Sequence, residues 1–344
     1  MSTRFCYVVM AHTDPEGALR LIRRITTLSP EAVVVLRYDD PDYVDSAAVR
    51  AAGAIPLLSR VRVSWGDWSL VDMMLEALTF VRTSTDADHA VLVSGQDYPV
   101  RDLAEWEREV RSWGCDAVLD PHPTHRSDWA YRWSIRRVLA TGAAAVDRLT
   151  RYAVSRVGDV LAPVAPMHLS GRPGDDRLWV GLRRPAARRE PIPVTKCSQW
   201  MTLNAAAIDS VLTRDRLDRA TRRYFEHTKL PDECYVQSLV HDDPLLRVVH
   251  SDTSAKHFED PSPNPTWVDE ERLGHLLSRS GAPFVRKVPP QVDGAVLRRA
   301  DAAAQRMPWQ VHADVRLTGR QVDVSGWSER IRARIVSTGV PRLV

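Results

Sequence analysis

Short apolar runs alternate with amphipathic stretches through the first third of the chain, and this alternation restricts the fold more than any other feature. Residues 5–11 (FCYVVMA) read as a buried strand, and 16–26 as a helix with Leu19, Ile22 and Ile25 on one face. Residues 32–37 (AVVVLR) are a second strand, 61–63 a short extended piece, and 69–81 a helix with Val71, Met74, Leu75 and Leu78 at helical spacing. A third buried strand at 90–93 is followed by a helix over 103–112 and a strand at 116–119. Strands this short, linked by helices, predict an α/β fold whose mostly parallel sheet is flanked by helices. Such sheets bind ligands beyond the carboxyl ends of their strands, and His12, Asp39 and Asp97 each fall at such an end.

Regularity then fades. Residues 140–193 are rich in Arg, Pro and Gly and predict long loops, while order returns at 198–212 and 232–240. The double proline Pro289-Pro290 marks a boundary, after which a helix and a polar, Arg-rich tail are expected.

At 344 residues the chain can bury one large core or two medium ones. An apolar content of 44% and a charged content of 26% are those of a soluble globular protein. The 47 basic side chains face 44 acidic ones, a balance that argues against a nucleic-acid partner. Only Lys196, Lys229, Lys256 and Lys287 are lysines, all in one segment. Cys6, Cys115, Cys197 and Cys234 form no C-x-x-C pair, which fits a reducing, cytoplasmic setting. The apolar run 5–10 is too short for a leader or a membrane span, and attachment at a membrane surface through Arg-rich faces stays open.

Dinucleotide, Walker, serine-hydrolase and zincin signatures do not occur. The pair His122 and His125 lies among prolines and reads as loop, and the triplets Asp40-Pro41-Asp42 and Asp86-Ala87-Asp88 read as solvated acids. At Pro231-Asp232-Glu233 the sequence predicts a helix start, with Asp232 as N-cap and Glu233 in the first turn. Unpaired N–H groups and the helix dipole favour a carboxylate there, as a general base needs, though the same tripeptide opens ordinary helices too. Arg286-Lys287 is either a solvated pair or a cationic clamp for phosphate. Trp65 and Trp68 offer rigid faces that suit a base, a sugar ring or a core.

Six segments in order carry a resemblance: Tyr7-Val8-Val9-Met10-Ala11-His12; Ser64-Trp65-Gly66-Asp67-Trp68-Ser69-Leu70-Val71; Leu92-Val93-Ser94-Gly95-Gln96-Asp97-Tyr98-Pro99; Cys197-Ser198-Gln199-Trp200-Met201-Thr202-Leu203; Pro231-Asp232-Glu233; and Pro283-Phe284-Val285-Arg286-Lys287. Over residues 5–288 the chain resembles the core-2/I-branching β-1,6-N-acetylglucosaminyltransferases and the related peptide O-xylosyltransferases. The resemblance implies a GT-A-like domain over 1–290, with a nucleotide-sugar half to about 115 and an acceptor half from about 116, and an extension of unknown role over 291–344. It implies inverting, metal-independent transfer of GlcNAc or xylose from a UDP-sugar to a glycan, glycolipid or small-molecule hydroxyl with a β-linkage, foremost β-1,6-N-acetylglucosaminyl transfer, with no cofactor beyond the co-substrate.

By the same resemblance Glu233 is the catalytic base and Lys287, with Arg286 beside it, a diphosphate ligand. Met10, Ala11, His12, Asp39, Asp40, Pro41 and Trp65 correspond to nucleotide contacts. Asp97, Asp120, Arg132 and Trp200 line the acceptor side, Asp120 standing where relatives have a glutamate. Arg37-Tyr38-Asp39 replaces a His-Val-Asp, and Lys256 is the candidate second phosphate cation. A non-catalytic nucleotide-sugar or glycan-binding protein on the same fold is the alternative.

Overall fold

A computed structural model of the chain describes residues 4–121, 133–139, 167–171, 177–184, 190–228, 230–259, 264–305 and 316–317. The first stretch alternates as the sequence predicts: β1 (Phe5–Met10), α1 (Pro15–Leu28), β2 (Val33–Tyr38), α2 (Ser46–Ala51), β3 (Ile55–Leu58), α3 (Ser69–Ser84) and β4 (His89–Ser94). After β5 (Asp97–Pro99), α4 (Leu103–Ser112) and β6 (Ala117–Pro121) come β7 (Trp133–Leu139), β8 (Met167–Gly171) and β9 (Arg177–Arg183). The remainder is β10 (Cys197–Asn204), α5 (Ala205–Leu217), α6 (Arg219–Glu226), a 3-10 turn (Pro231–Glu233), α7 (Tyr235–Asp242), β11 (Val248–His250), β12 (Ser254–Lys256), α8 (Glu270–Arg279), β13 (Phe284–Arg286), α9 (Gly294–Ala304) and β14 (Arg316–Leu317).

The main sheet has the order β14-β11-β6-β10-β4-β1-β2-β3. Its strands are parallel except β10, which opposes β4 and β6, and the edge strand β14, which opposes β11. Alternation along β1 sorts the core. Cys6, Val8 and Met10 join one apolar layer with Met74 and Leu78 of α3 and Ile208 of α5. Phe5, Tyr7 and Val9 join the opposite layer with Leu21 and Ile22 of α1 and Trp106 of α4. The fold is therefore mixed α/β, a mostly parallel sheet flanked by helices. Among the described residues no helix is long and apolar enough to cross a membrane.

Two expectations change. The short extended piece at 61–63 joins no sheet, and a strand not foreseen, β3, precedes it, where Pro56 is tolerated because the strand is at the sheet edge. The region 140–193 contains β8 and β9, which join β7 in an antiparallel sheet of order β7-β9-β8. A third small sheet, β12-β13-β5, carries Tyr98, Ala255 and Val285 into a core capped by Leu273 and Leu276 of α8 and by Val296 and Ala300 of α9. Thus the helix foreseen after Pro290 shares a core with residues before it.

At the carboxyl edge β1 and β4 meet backbone to backbone. Gly95 N–H donates to the Met10 carbonyl at 2.9 Å. A Cβ at Gly95 would stand 2.7 Å from the Ala11 Cβ, closer than carbons can approach, so only glycine fits there.

Candidate functional site

β1, β2 and β4 are adjacent and parallel, so their carboxyl ends form one ledge. Met10 and Ala11 are buried in its floor, Ala11 N–H donating to the Arg37 carbonyl at 3.1 Å. His12, Asp40 and Pro41 are exposed, and Asp39 is half-buried. The Asp39 carboxylate accepts the Val63 N–H at 2.6 Å. Arg37, 2% exposed, fastens this loop through Glu76 at 3.1 Å, the Ser59 hydroxyl at 2.7 Å and the Val61 carbonyl at 2.5 Å. The arginine that departs from the His-Val-Asp pattern is thus a buried strut under the ledge. Trp65 is exposed on the loop leading into α3.

Beside this ledge the small sheet sets three charges in a row. Register pairs Lys256 with Arg286 across β12 and β13, and Arg286 with Asp97 across β13 and β5. Neighbours in register point to the same face, so the row is dictated by backbone pairing. Arg286 lies 3.5 Å from the Asp97 carboxylate, and its guanidinium sits 4.4 Å from the centre of the Trp200 ring. Lys256 donates to Asp120 at 2.5 Å. Four residues chosen from the sequence, Asp97, Asp120, Trp200 and Arg286, are therefore brought together, with Arg286 paired to Asp97 and Lys256 to Asp120.

These charges are deeply buried: Asp97 is 2% and Asp120 0% exposed. Burial pushes the Asp97 carboxyl up, opposed mainly by Arg286. It pushes Asp120 up to about 7, opposed by Lys256 and reinforced by Asp252. Burial likewise lowers Arg286, against the pull of Asp97 and then Asp120. Asp97 Oδ1, Asp120 Oδ1 and Arg286 Nη1 make no hydrogen bond. Buried polar atoms left without partners are rare in folded proteins.

Glu233 is held beside the start of β10 by Lys196, the residue before that strand. It lies in the 3-10 turn, a quarter exposed, 3.2 Å from the Lys196 ammonium. The Asp232 N-cap expected from the sequence does not form. The turn is entered through Leu230 at φ 57, and α7 begins at Tyr235 without a side-chain cap. Asp232 is buried instead, its carboxyl raised by desolvation and then by Glu233 beside it, and its carbonyl accepts from the Gln237 amide at 2.7 Å. The same amide reaches the Ser198 carbonyl at 3.0 Å, tying the turn to β10. Leu230 N–H donates to the Gly66 carbonyl at 3.1 Å, bringing the Trp65 loop against the Glu233 turn. Two motifs more than 160 residues apart in sequence thus share one wall.

Lys287 follows β13, its ammonium 5.2 Å from the Trp267 ring centre. Val288 N–H donates to the Gln96 carbonyl at 2.9 Å, joining this segment to the Ser94–Asp97 loop. Arg132 and the pair His122 and His125 lie outside the described residues. Asp86 and Asp88 bind Arg4 side chain and backbone, and Asp40 accepts the Asp42 N–H, so both D-x-D triplets have local partners. Sequence reasoning missed Lys196 and cast Lys256 as a phosphate ligand rather than the partner of Asp120. The signal was the crowding of the few lysines into one segment: Lys196 and Lys256 pair with Glu233 and Asp120, and Lys287 follows Arg286.

No family model matches the chain, and no curated protein matches it in sequence. Among solved structures, it is similar to the apo form of mouse xyloside xylosyltransferase 1, at 11% identity and a TM-score of 0.35, over 82% of this chain and 97% of that one. Glucosyl-3-phosphoglycerate synthase from Mycobacterium tuberculosis, in complex with Mn2+, UDP-glucose and phosphoglyceric acid, is similar at 12% identity and a TM-score of 0.31, over 67% and 68% of the two chains. A nucleotide-diphospho-sugar transferase of Desulfovibrio desulfuricans G20, so described as a putative one, gives 12% and 0.24 over 35% and 59%. Similarity of this order assigns neither a family nor a substrate.

Proposed function

We propose that the protein is a glycosyltransferase with a GT-A-like fold that moves GlcNAc or xylose from a UDP-sugar to an acceptor hydroxyl, inverting the anomeric carbon without a metal at the diphosphate. The observation that carries this reading is the row Lys256, Arg286 and Asp97 at the carboxyl edge, against Trp200 and continued by Lys287. In it, Met10 to His12, Asp39 to Pro41 and Trp65 hold the uridine on the ledge. Arg286 and Lys287 offset the charge that grows on the departing diphosphate, a cation at about 4 Å contributing roughly 4 kcal/mol at an effective dielectric near 20. Asp97, Asp120, Trp200 and Arg132 shape the acceptor side.

Glu233 takes the proton of the acceptor hydroxyl as that oxygen attacks the anomeric carbon. The bond from this carbon to the phosphate oxygen breaks, and UDP leaves with the electron pair. Lys196 orients the Glu233 carboxylate. A panel of UDP-sugars, assayed for UDP release with EDTA or Mn2+, tests the reading. Release with one donor in EDTA, lost in Glu233→Gln, supports it; strict Mn2+ dependence overturns the metal-free mechanism. The pairing of Glu233 with Lys196 favours one second reading, a nucleotide-sugar binder without turnover. Calorimetry showing UDP binding, with no release from any donor, selects that alternative.

A further inference from the structure

Behind Asp120 the sheet holds a cluster that the proposed transfer does not use. Cys197 begins β10, His250 ends β11, and His241 lies in the last turn of α7. Their ligand atoms all lie within 4.8 Å of one another. The two imidazoles stack with centres 4.9 Å apart and planes 18° from parallel. Cys197 is 1% exposed, and His241 Nε2 and His250 Nδ1 are buried without a hydrogen-bond partner. Gln237 Oε1, one helical turn before His241, is buried and unpartnered as well.

We propose that Cys197, His241 and His250 bind a zinc-class divalent cation that ties the start of β10 and the end of β11 together across β6. Thiolate and imidazole together are the donor set that zinc takes in tetrahedral sites, with a fourth position left to water. In such a site neighbouring donors stand about 3.5 Å apart, so closing the cluster requires donor movements of about 1 Å, within the reach of side-chain rotation. The register explains the placement. His250 pairs with Leu119 and Cys197 with Pro121, the two residues that flank Asp120 on β6. Cys197 and Leu119 share one apolar layer, so the cation would sit on the face away from the Asp120 and Lys256 pair and fix the strand that carries Asp120. Two orphaned imidazole nitrogens and a buried thiol in one place are explained by a shared ligand, whereas an apolar core has no use for them.

Metal uptake by the full-length chain tests this, independently of turnover. After dialysis against a chelator, Co2+ should bind one per chain, with a thiolate-to-cobalt charge-transfer band in the near ultraviolet and intense visible bands of tetrahedral geometry. Zn2+ should displace it and raise Tm by several degrees. Cys197→Ser should lose the charge-transfer band, His250→Ala should weaken binding at least tenfold and abolish the Tm shift, and Cys115→Ser should behave as the parent. His250 is only partly buried, so its variant carries the test alone if Cys197→Ser fails to fold. Absence of the thiolate band in the parent chain, or unchanged uptake in His250→Ala, overturns the proposal.

Discussion

Asp120 and Glu233 are two carboxylates, each paired with a lysine, yet their surroundings differ. Asp120 is sealed from water and gripped by Lys256 at 2.5 Å, and burial pushes its carboxyl up to about 7. Glu233 is a quarter exposed, and its ammonium partner stands off at 3.2 Å. A sealed pair resists exchange of partners, because separating it strands a charge in a poor solvent. A half-open pair can yield one oxygen to an incoming hydroxyl. In the proposed transfer, this contrast suits Asp120 to positioning and Glu233 to taking the proton of the acceptor.

That contrast can be broken by experiment. The largest effect is expected for Glu233→Gln, a fall in kcat of about 100- to 10,000-fold with urea stability unchanged within about 0.5 kcal/mol. Equal loss of stability would make Glu233 a structural residue. Lys256→Met should do the reverse, costing about 3–5 kcal/mol in urea unfolding at pH 8 by leaving Asp120 buried without its counter-charge. Adding Asp120→Asn should restore most of that loss; a double variant as unstable as the single one would refute the pairing.

The next effect concerns pH. Between the ordinary carboxyl value of 3.8 and about 7, the folded chain holds on Asp120 a proton that the unfolded chain lacks. Asp120 therefore contributes stability that is fully present below the ordinary value and is lost as pH rises through about 7, up to about 4 kcal/mol. Relative to Asp120→Asn, the parent chain should lose stability from pH 4 to 7 in paired denaturation curves; parallel curves would contradict the raised carboxyl. The smallest effect is Arg286→Lys, which keeps the charge but gives up the planar stack on Trp200. UDP affinity by calorimetry should weaken by about tenfold, and an unchanged Kd would remove Arg286 from the donor site.

Much of the main sheet was legible because β1, β2 and β4 are buried on both faces and therefore written as continuous apolar runs. β3 was not foreseen because an edge strand needs neither such a run nor freedom from proline. His12 and Asp39 followed from strand ends, whereas Met10, Ala11, Asp40, Pro41 and Trp65 rested on the resemblance. The pairing of Arg286 with Asp97 could not be read, since it depends on the antiparallel register of two three-residue strands far apart in the chain. Asp232 misled for a related reason. Its local signal is that of a cap, but tertiary packing turns it inward and starts the helix at Tyr235.

The contact between Gly95 and Ala11 has a consequence for how this molecule can change over generations. A methyl group at 95 meets Ala11 Cβ at 2.7 Å, but the next atom, Ala11 Cα, is at a tolerable 3.4 Å. Ala11→Gly is thus a permissive step that must come before any side chain is gained at 95. A lineage taking the two steps in the opposite order passes through a form whose first and fourth strands are wedged apart. History at this spot runs in one direction, and ancestral reconstruction would find glycine at 11 wherever 95 has left glycine behind.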